Sequence, residues 1–201
     1  MKIPVEEQYK YVKLTLPNES KAEGQAVLLH ACCAPCSAAI VECMLRNGMK
    51  PTVYFSNSNI YPQQEYDVRK HELKRFLETQ NVPYVDDEYD HQEWLSVIKG
   101  LEDEPERGSR CSVCFQFRLS HAAKYAQEHG FHLLTTTLAS SRWKNIRQID
   151  TAGHLAVEAY PDVEWWDMNW RKGGLQNRRG ELLRINEFYN QLYCGCEFSM
   201  R

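Results

Sequence analysis

The sequence predicts an α/β protein: a Rossmann-like three-layer sandwich on a mostly parallel five-stranded sheet. Three observations predict it. Short apolar runs rich in β-branched and aromatic residues alternate with helical patterns along the chain. Each run is followed by a helix rather than a hairpin turn, and that βαβ alternation requires a parallel sheet covered on both faces. A length of 201 residues, 43% of them hydrophobic, suits one such domain over residues 26–201, preceded by a polar extension over 1–25.

The first strand is read in AVLLHA, Ala26 to Ala31, and the helix after it over Ser37 to Arg46, ended by Gly48. PTVYFSN supplies the second strand, and Glu65 to Gln80 the next helix, with Tyr66, Leu73, Phe76 and Leu77 on one face. VPYVDDEY is the third strand, followed by a helix over Gln92 to Leu101 around Trp94, Leu95 and Ile98. A helix over Phe115 to Glu128 leads to the fourth strand in FHLLTTTLA; Asn145 to Ala159 is helical, and VEWWDMNW is the fifth strand. Gly173 to Asn190 reads as a loop and helix leading to YCGC.

Seven of the eight cysteines fall into three tight groups: Cys32, Cys33 and Cys36 in CCAPC, Cys111 and Cys114 in RCSVC, and Cys194 and Cys196 in YCGC. Thiolates are soft ligands for zinc and iron-sulfur clusters, so groups drawn from three distant stretches imply one centre assembled by folding. CCAPC follows the first strand directly, with Pro35 in the first turn of the next helix. In an open parallel sheet, ligands collect beyond the carboxyl ends of the strands, which is where this places the centre. Cys111 and Cys114 share one face of a helix start, where the helix dipole favours thiolate. The grammar differs from that of a structural zinc ribbon: one half is a vicinal pair and the last group is CxC, not two similar CxxC knuckles.

No stretch has the apolar length of a signal peptide or of a membrane span, so a cytoplasmic location without a membrane partner is expected. A reducing compartment argues against a disulfide framework. The net charge of −3 is unevenly spread. Asp86 to Glu106 carries nine carboxylates against Lys99 alone, so the remainder is net positive, and Trp165 to Arg184 is locally basic through Arg171, Lys172, Arg178, Arg179 and Arg184. That pattern permits an RNA partner without demanding one.

These motifs resemble the QueH-type epoxyqueuosine reductases. The resemblance rests on LLHACCAPC, YFSNSNIYPQQEY, EPERGSRCSVCFQFRL, TTTLASSRWKN, WRKGGLQNRRGE and FYNQLYCGCEFS, which together span Leu28 to Ser199. It departs at Arg142, where the family usually has proline, and at FYNQ before YCGC. The resemblance implies a HUP-like sheet and the last step of queuosine biosynthesis, in which the epoxide of epoxyqueuosine at the tRNA wobble position is reduced. It also implies a 4Fe-4S cluster on Cys32, Cys33, Cys111 and Cys114, fed by an external low-potential electron donor. Cys194 and Cys196 then form either a redox-active dithiol or, with Cys36, the ligands of an additional mononuclear iron. Arg142, Lys144, Arg171 and Lys172 are candidate phosphate contacts, and Tyr61, Trp143, Trp170 and Tyr193 candidate stacking partners for a splayed base.

Two residues receive plainer readings: Cys43 as core packing, and His30 as a backbone-satisfied histidine behind the site. Two alternatives compete with the reductase. A zinc-stabilised RNA-binding module would hold zinc and no sulfide. A Rossmann-like RNA sulfur-transfer or ATP-using enzyme needs a glycine-rich phosphate loop after the first strand, where ACCAPC has no glycine.

Overall fold

The structure, a computed structural model, describes residues 12–17 and 22–200. Five strands form one sheet: β1 (Ala26–His30), β2 (Lys50–Phe55), β3 (Tyr84–Asp86), β4 (Leu133–Thr136) and β5 (Glu164–Trp165). Their order is β3-β2-β1-β4-β5, and every neighbouring pair is parallel, so the sheet is wholly rather than mostly parallel. Along β1 the side chains alternate: Val27 and Leu29 join one core, Leu28 the other, and all three are fully buried. A strand buried on both faces therefore reads as an unbroken apolar run.

On the Leu29 face pack α1 (Ala34–Arg46), α2 (Gln63–Thr79) and α6 (Leu175–Ile185); on the Leu28 face pack α4 (Ser109–Glu128) and α5 (Ile146–Val157). The short α3 (His91–Val97) begins at Asp90, whose carboxylate accepts the Glu93 amide at 2.8 Å. Helix α4 starts six residues earlier than the apolar periodicity indicates, because its first turns carry the RCSVC cysteines and the buried Arg110 in place of an apolar stripe. Most of the extension over 1–25 lies outside the described residues. Of its described part, Leu14 and Leu16 are buried in the Leu29-face core, and the carbonyl of Thr15 accepts the Trp166 indole N–H at 2.9 Å.

From β1 the chain moves outward to β2 and β3, then returns to the opposite side of β1 for β4 and β5. The reversal leaves a crevice beyond the carboxyl ends of β1 and β4. A 3₁₀ turn, Thr137–Ser140, continues β4 across it, and the Thr137 hydroxyl accepts the Cys32 amide at 3.3 Å.

Candidate active site

The site grows from that crevice. Cys33 ends the extended segment after β1 and serves as the N-cap of α1, with Pro35 in the first turn, so CCAPC bends sharply over the strand end. The bend gathers Cys32, Cys33 and Cys36, whose sulfurs all lie within 4.8 Å of one another, Cys32 and Cys33 being 3.8 Å apart. They behave as one acid. Hydrogen bonds from Cys33 and Cys36, with Arg118 and Lys144 nearby, hold the Cys32 thiol well below its usual range. By the same coupling Cys33 sits well above that range, and Cys36 is pushed up to about 11. Negative charge is thus favoured on Cys32 over its two neighbours, and a soft cation would favour ionisation of all three.

The other cysteine groups converge here. Cys32, Cys36, Cys111, Cys194 and Cys196 line one cavity of about 930 Å³, while Cys114 lies behind it in a buried cluster with Cys196 and Trp94. The helix-start argument for thiolate at Cys111 and Cys114 is outweighed: burial raises both, Cys114 to about 11. Cys194 goes the other way. Burial lifts its thiol, but the Lys144 ammonium, 3.0 Å from the sulfur, more than offsets that and holds it below the ordinary value. Lys144 is in turn held protonated against its burial by the negative charge on Cys194 and Cys32.

YCGC is tied down from the opposite wall. Arg69 is 1% exposed, bonds to Glu65 at 2.7 Å, and donates to the carbonyls of Cys194 and Tyr193 at 3.1 and 3.2 Å. The Gly195 carbonyl accepts the Tyr61 amide at 2.8 Å. Gln191 donates its amide to the Cys33 sulfur at 3.0 Å. Arg118, also buried, bonds to Asn57 and to the Ser56 carbonyl, and Asn57 reaches the Ala31 carbonyl at 2.8 Å.

The outer wall is basic. Arg69, Arg107, Arg110, Arg118, Arg142, Lys144 and Arg179 line the cavity, and Glu106 is the only carboxylate among its described lining residues. Trp143 stands at the rim, 81% exposed. Arg171 and Lys172 lie outside the lining; the Arg171 guanidinium donates to the Lys144 carbonyl at 2.7 Å and so fixes the backbone that presents Lys144. Of the aromatic candidates, Tyr61 and Tyr193 border the site. Trp170 does not: it is fully buried edge-on against Trp166, which removes it as a base-stacking residue. Cys43 is core, with burial pushing its thiol up to about 12. His30 bonds to the Ser56 carbonyl and the Thr136 hydroxyl, and burial drives its pKa down to about 3, so it is a neutral brace between β1 and β4.

Arg69, Arg118, Asn57 and Gln191 are the functional side chains that residue-type reasoning missed. A signal exists for two of them: Arg69 falls on the Tyr66, Leu73, Phe76 stripe of α2, and Arg118 on the Phe115, Leu119, Ala122 stripe of α4. A charge on an apolar stripe needs a buried partner.

A wholly parallel Rossmann-like sheet whose switch point is furnished with soft thiol ligands, opening into a cation-lined cavity, defines a class: α/β domains that carry out thiol- or metal-based chemistry on an anionic substrate. A solved structure agrees on the fold. The U34-tRNA thiolase NcsA from Methanococcus maripaludis, solved with its [4Fe-4S] cluster, superposes with a TM-score of 0.60 over 98% of this chain and 68% of its own, at 14% identity. The chain belongs to the epoxyqueuosine reductase QueH family, whose model matches residues 27–201. It is 48% identical over 189 residues to the epoxyqueuosine reductase QueH of Histophilus somni, covering 94% of this chain and 76% of the relative. The Acinetobacter baylyi protein of that name is 45% identical over 190 residues, covering 94% and 85%, and that of Thermotoga maritima 33% over 179 residues, covering 87% and 90%.

Proposed function

We propose that this chain reduces the epoxide of epoxyqueuosine at the tRNA wobble position to the alkene of queuosine, in the cytoplasm, using an iron-sulfur centre. The reaction takes up two electrons and two protons and releases the epoxide oxygen as water; an external low-potential donor supplies the electrons. The observation that carries this reading is that five cysteines from three chain segments line one cation-rich cavity, with Cys33 grouped beside Cys32 and Cys36 and Cys114 buried behind it against Cys196, in a chain matched by the family model over 27–201.

The donor set fits a 4Fe-4S cluster. Cys32, Cys33, Cys111 and Cys114 are assigned as its ligands, and Lys144, Arg118 and Arg69 offset the negative charge that four thiolates bring. Cys36, Cys194 and Cys196 remain for an additional mononuclear iron or, for the CxC pair, a redox dithiol. When bound, such a centre supplies low-potential electrons and a Lewis acid for the departing oxygen.

The chain's own residues do the rest. Lys144 favours the thiolate form of Cys194 at the inner wall. Arg142 and Trp143 at the rim, with Lys172 on the adjoining exposed segment, serve the anticodon backbone and a splayed base. Arg171 acts through the Lys144 backbone.

The test is iron and acid-labile sulfide analysis of anaerobically purified protein, followed by nucleoside analysis of epoxyqueuosine-bearing tRNA incubated with it and a strong reductant. About four irons and four sulfides, or one iron more, together with queuosine formation is the expected result. Zinc without sulfide and unchanged nucleoside would overturn the reading in favour of a zinc-stabilised RNA-binding module.

A further inference from the structure

Leu192 is the most exposed large hydrophobic side chain among the described residues, at 93%. A lone apolar side chain on a surface is ordinary, but the place of this one is not. Of the exposed large hydrophobics among the described residues, only Leu192 and Trp143 line the switch-point cavity, and they do so among seven cations and one carboxylate. Cations at the mouth fit a polyanion; apolar side chains set among them fit the flat, apolar faces of its bases.

Leu192 is presented from a fixed backbone. Gln191 before it donates its side-chain amide to the Cys33 sulfur at 3.0 Å. Tyr193 after it has its carbonyl held by Arg69 at 3.2 Å and donates its hydroxyl to the Tyr61 carbonyl. Both neighbours are thus tied into the protein, and the leucine between them is left in solvent. Trp143 rides on a second segment, between the 3₁₀ turn and α5, and the Lys144 ammonium ties that segment to the Cys194 sulfur at 3.0 Å.

The proposed reaction sets a steric problem at this mouth. Cys32, Cys36, Cys194 and Cys196 form part of the cavity wall, so a wobble base has to leave the stack of the anticodon loop to reach them. Its departure opens the face of the neighbouring base to water. A side chain that fills such a gap has to be apolar, exposed before binding, at the rim and rigidly presented. Leu192 meets all four requirements.

We infer that Leu192 is a wedge: it packs on the face of the base next to the wobble position, in the space the wobble base vacates, while Trp143 stacks on the displaced base. The inference rests on the proposed reading of the substrate as a tRNA wobble nucleotide.

The experiment measures equilibrium binding of anaerobically purified holoprotein to three anticodon stem-loops bearing epoxyqueuosine: one intact, one abasic on the 5′ side of the wobble nucleotide and one abasic on its 3′ side. Leu192→Ala is expected to bind the intact loop about tenfold more weakly than wild type, with an unchanged salt slope because no phosphate contact is lost. The penalty is expected to vanish on one of the two abasic loops, where the partner of the leucine is missing. Leu192→Met restores apolar bulk and is expected to bind the intact loop as wild type does. Both substitutions fall on an exposed side chain, so the melting temperature stays that of wild type. A penalty of equal size on all three loops would make Leu192 a sugar or backbone contact and overturn the wedge. So would wild-type affinity in Leu192→Ala, a failure of Leu192→Met to restore binding, or a wild-type protein that binds none of the loops. Wild type that shows the coupling yet leaves epoxyqueuosine unreduced would instead overturn the proposed reaction and leave the wedge in place.

Discussion

The contact between Lys144 and Cys194 shows how one residue's chemistry is decided by its neighbours. In sequence Lys144 is a loop cation in a basic tract; in the fold its ammonium turns inward and donates to a sulfur 3.0 Å away. Desolvation of the sulfur pushes the Cys194 thiol up, and the adjacent positive charge outweighs it and brings the thiol down. The sign of the consequence follows. Cys194 has a pKa held below its ordinary value, so its thiolate persists at lower pH than a free thiol's, and removing Lys144 takes away the largest influence that lowers it, leaving the weaker pull of Arg118 against desolvation. In metal-free protein, Lys144→Met is expected to move the midpoint of Cys194 alkylation to higher pH. At a fixed pH below the new midpoint the reaction then slows about tenfold for every pH unit by which the midpoint has risen. A midpoint that stays in place would separate Lys144 from the ionisation of Cys194.

At the scale of elements, the site depends on the C-terminal segment being pinned across the crevice. Gly195 lies at φ +131°, and an added Cβ would meet Ile60 at 3.1 Å and the Arg69 guanidinium at 3.2 Å, so the turn needs glycine for both conformation and space. Gly195→Ala is expected to cost about 1–3 kcal/mol locally, loosening YCGC from Arg69. The readout is faster alkylation of the buried Cys196 in metal-free protein, with the sheet's melting transition little changed. Protection of Cys196 equal to wild type would show that Arg69 and Tyr61 hold the segment without the glycine's help. The elements themselves were legible: four of the five strands lie within the apolar runs read as strands and β2 starts one residue ahead of its run, at Lys50, and the central β1, covered on both faces, is the most continuously apolar. The cysteines were legible as a centre because few chemistries use seven clustered thiols. What the sequence could not convey was partnership across distance. Arg69 meets the carbonyls of YCGC more than a hundred residues away, and no local pattern encodes that pairing. Only the placement of Arg69 and Arg118 on apolar stripes announced that each needed a buried partner.

For the molecule as a whole, charge is separated by topology. The nine carboxylates between Asp86 and Glu106 follow the carboxyl end of β3 and run through α3 to the start of α4. Their loop is drawn in by Arg110, which donates to the carbonyls of Leu101, Glu102 and Glu104 rather than to their carboxylates. The switch-point cavity, by contrast, is lined by seven cations and one carboxylate among the described residues. A chain of net charge −3 thereby presents a basic mouth to a polyanion, and binding strength is set by that mouth rather than by the sum of charges. Each phosphate neutralised releases condensed counterions, so the logarithm of affinity falls linearly with the logarithm of salt concentration. Arg142→Ala at the rim and Lys172→Ala on the adjoining exposed segment are each expected to reduce that slope by about one for a single phosphate contact, and the double variant by about two. Trp143→Ala is expected to weaken binding while leaving the slope unchanged, because an exposed indole stacks on a base and meets no phosphate. Salt titrations of anticodon stem-loop binding separate these outcomes: a slope unaltered by Arg142→Ala would remove the rim from the phosphate path, and one reduced by Trp143→Ala would mean that the indole orders neighbouring cations instead of reading a base.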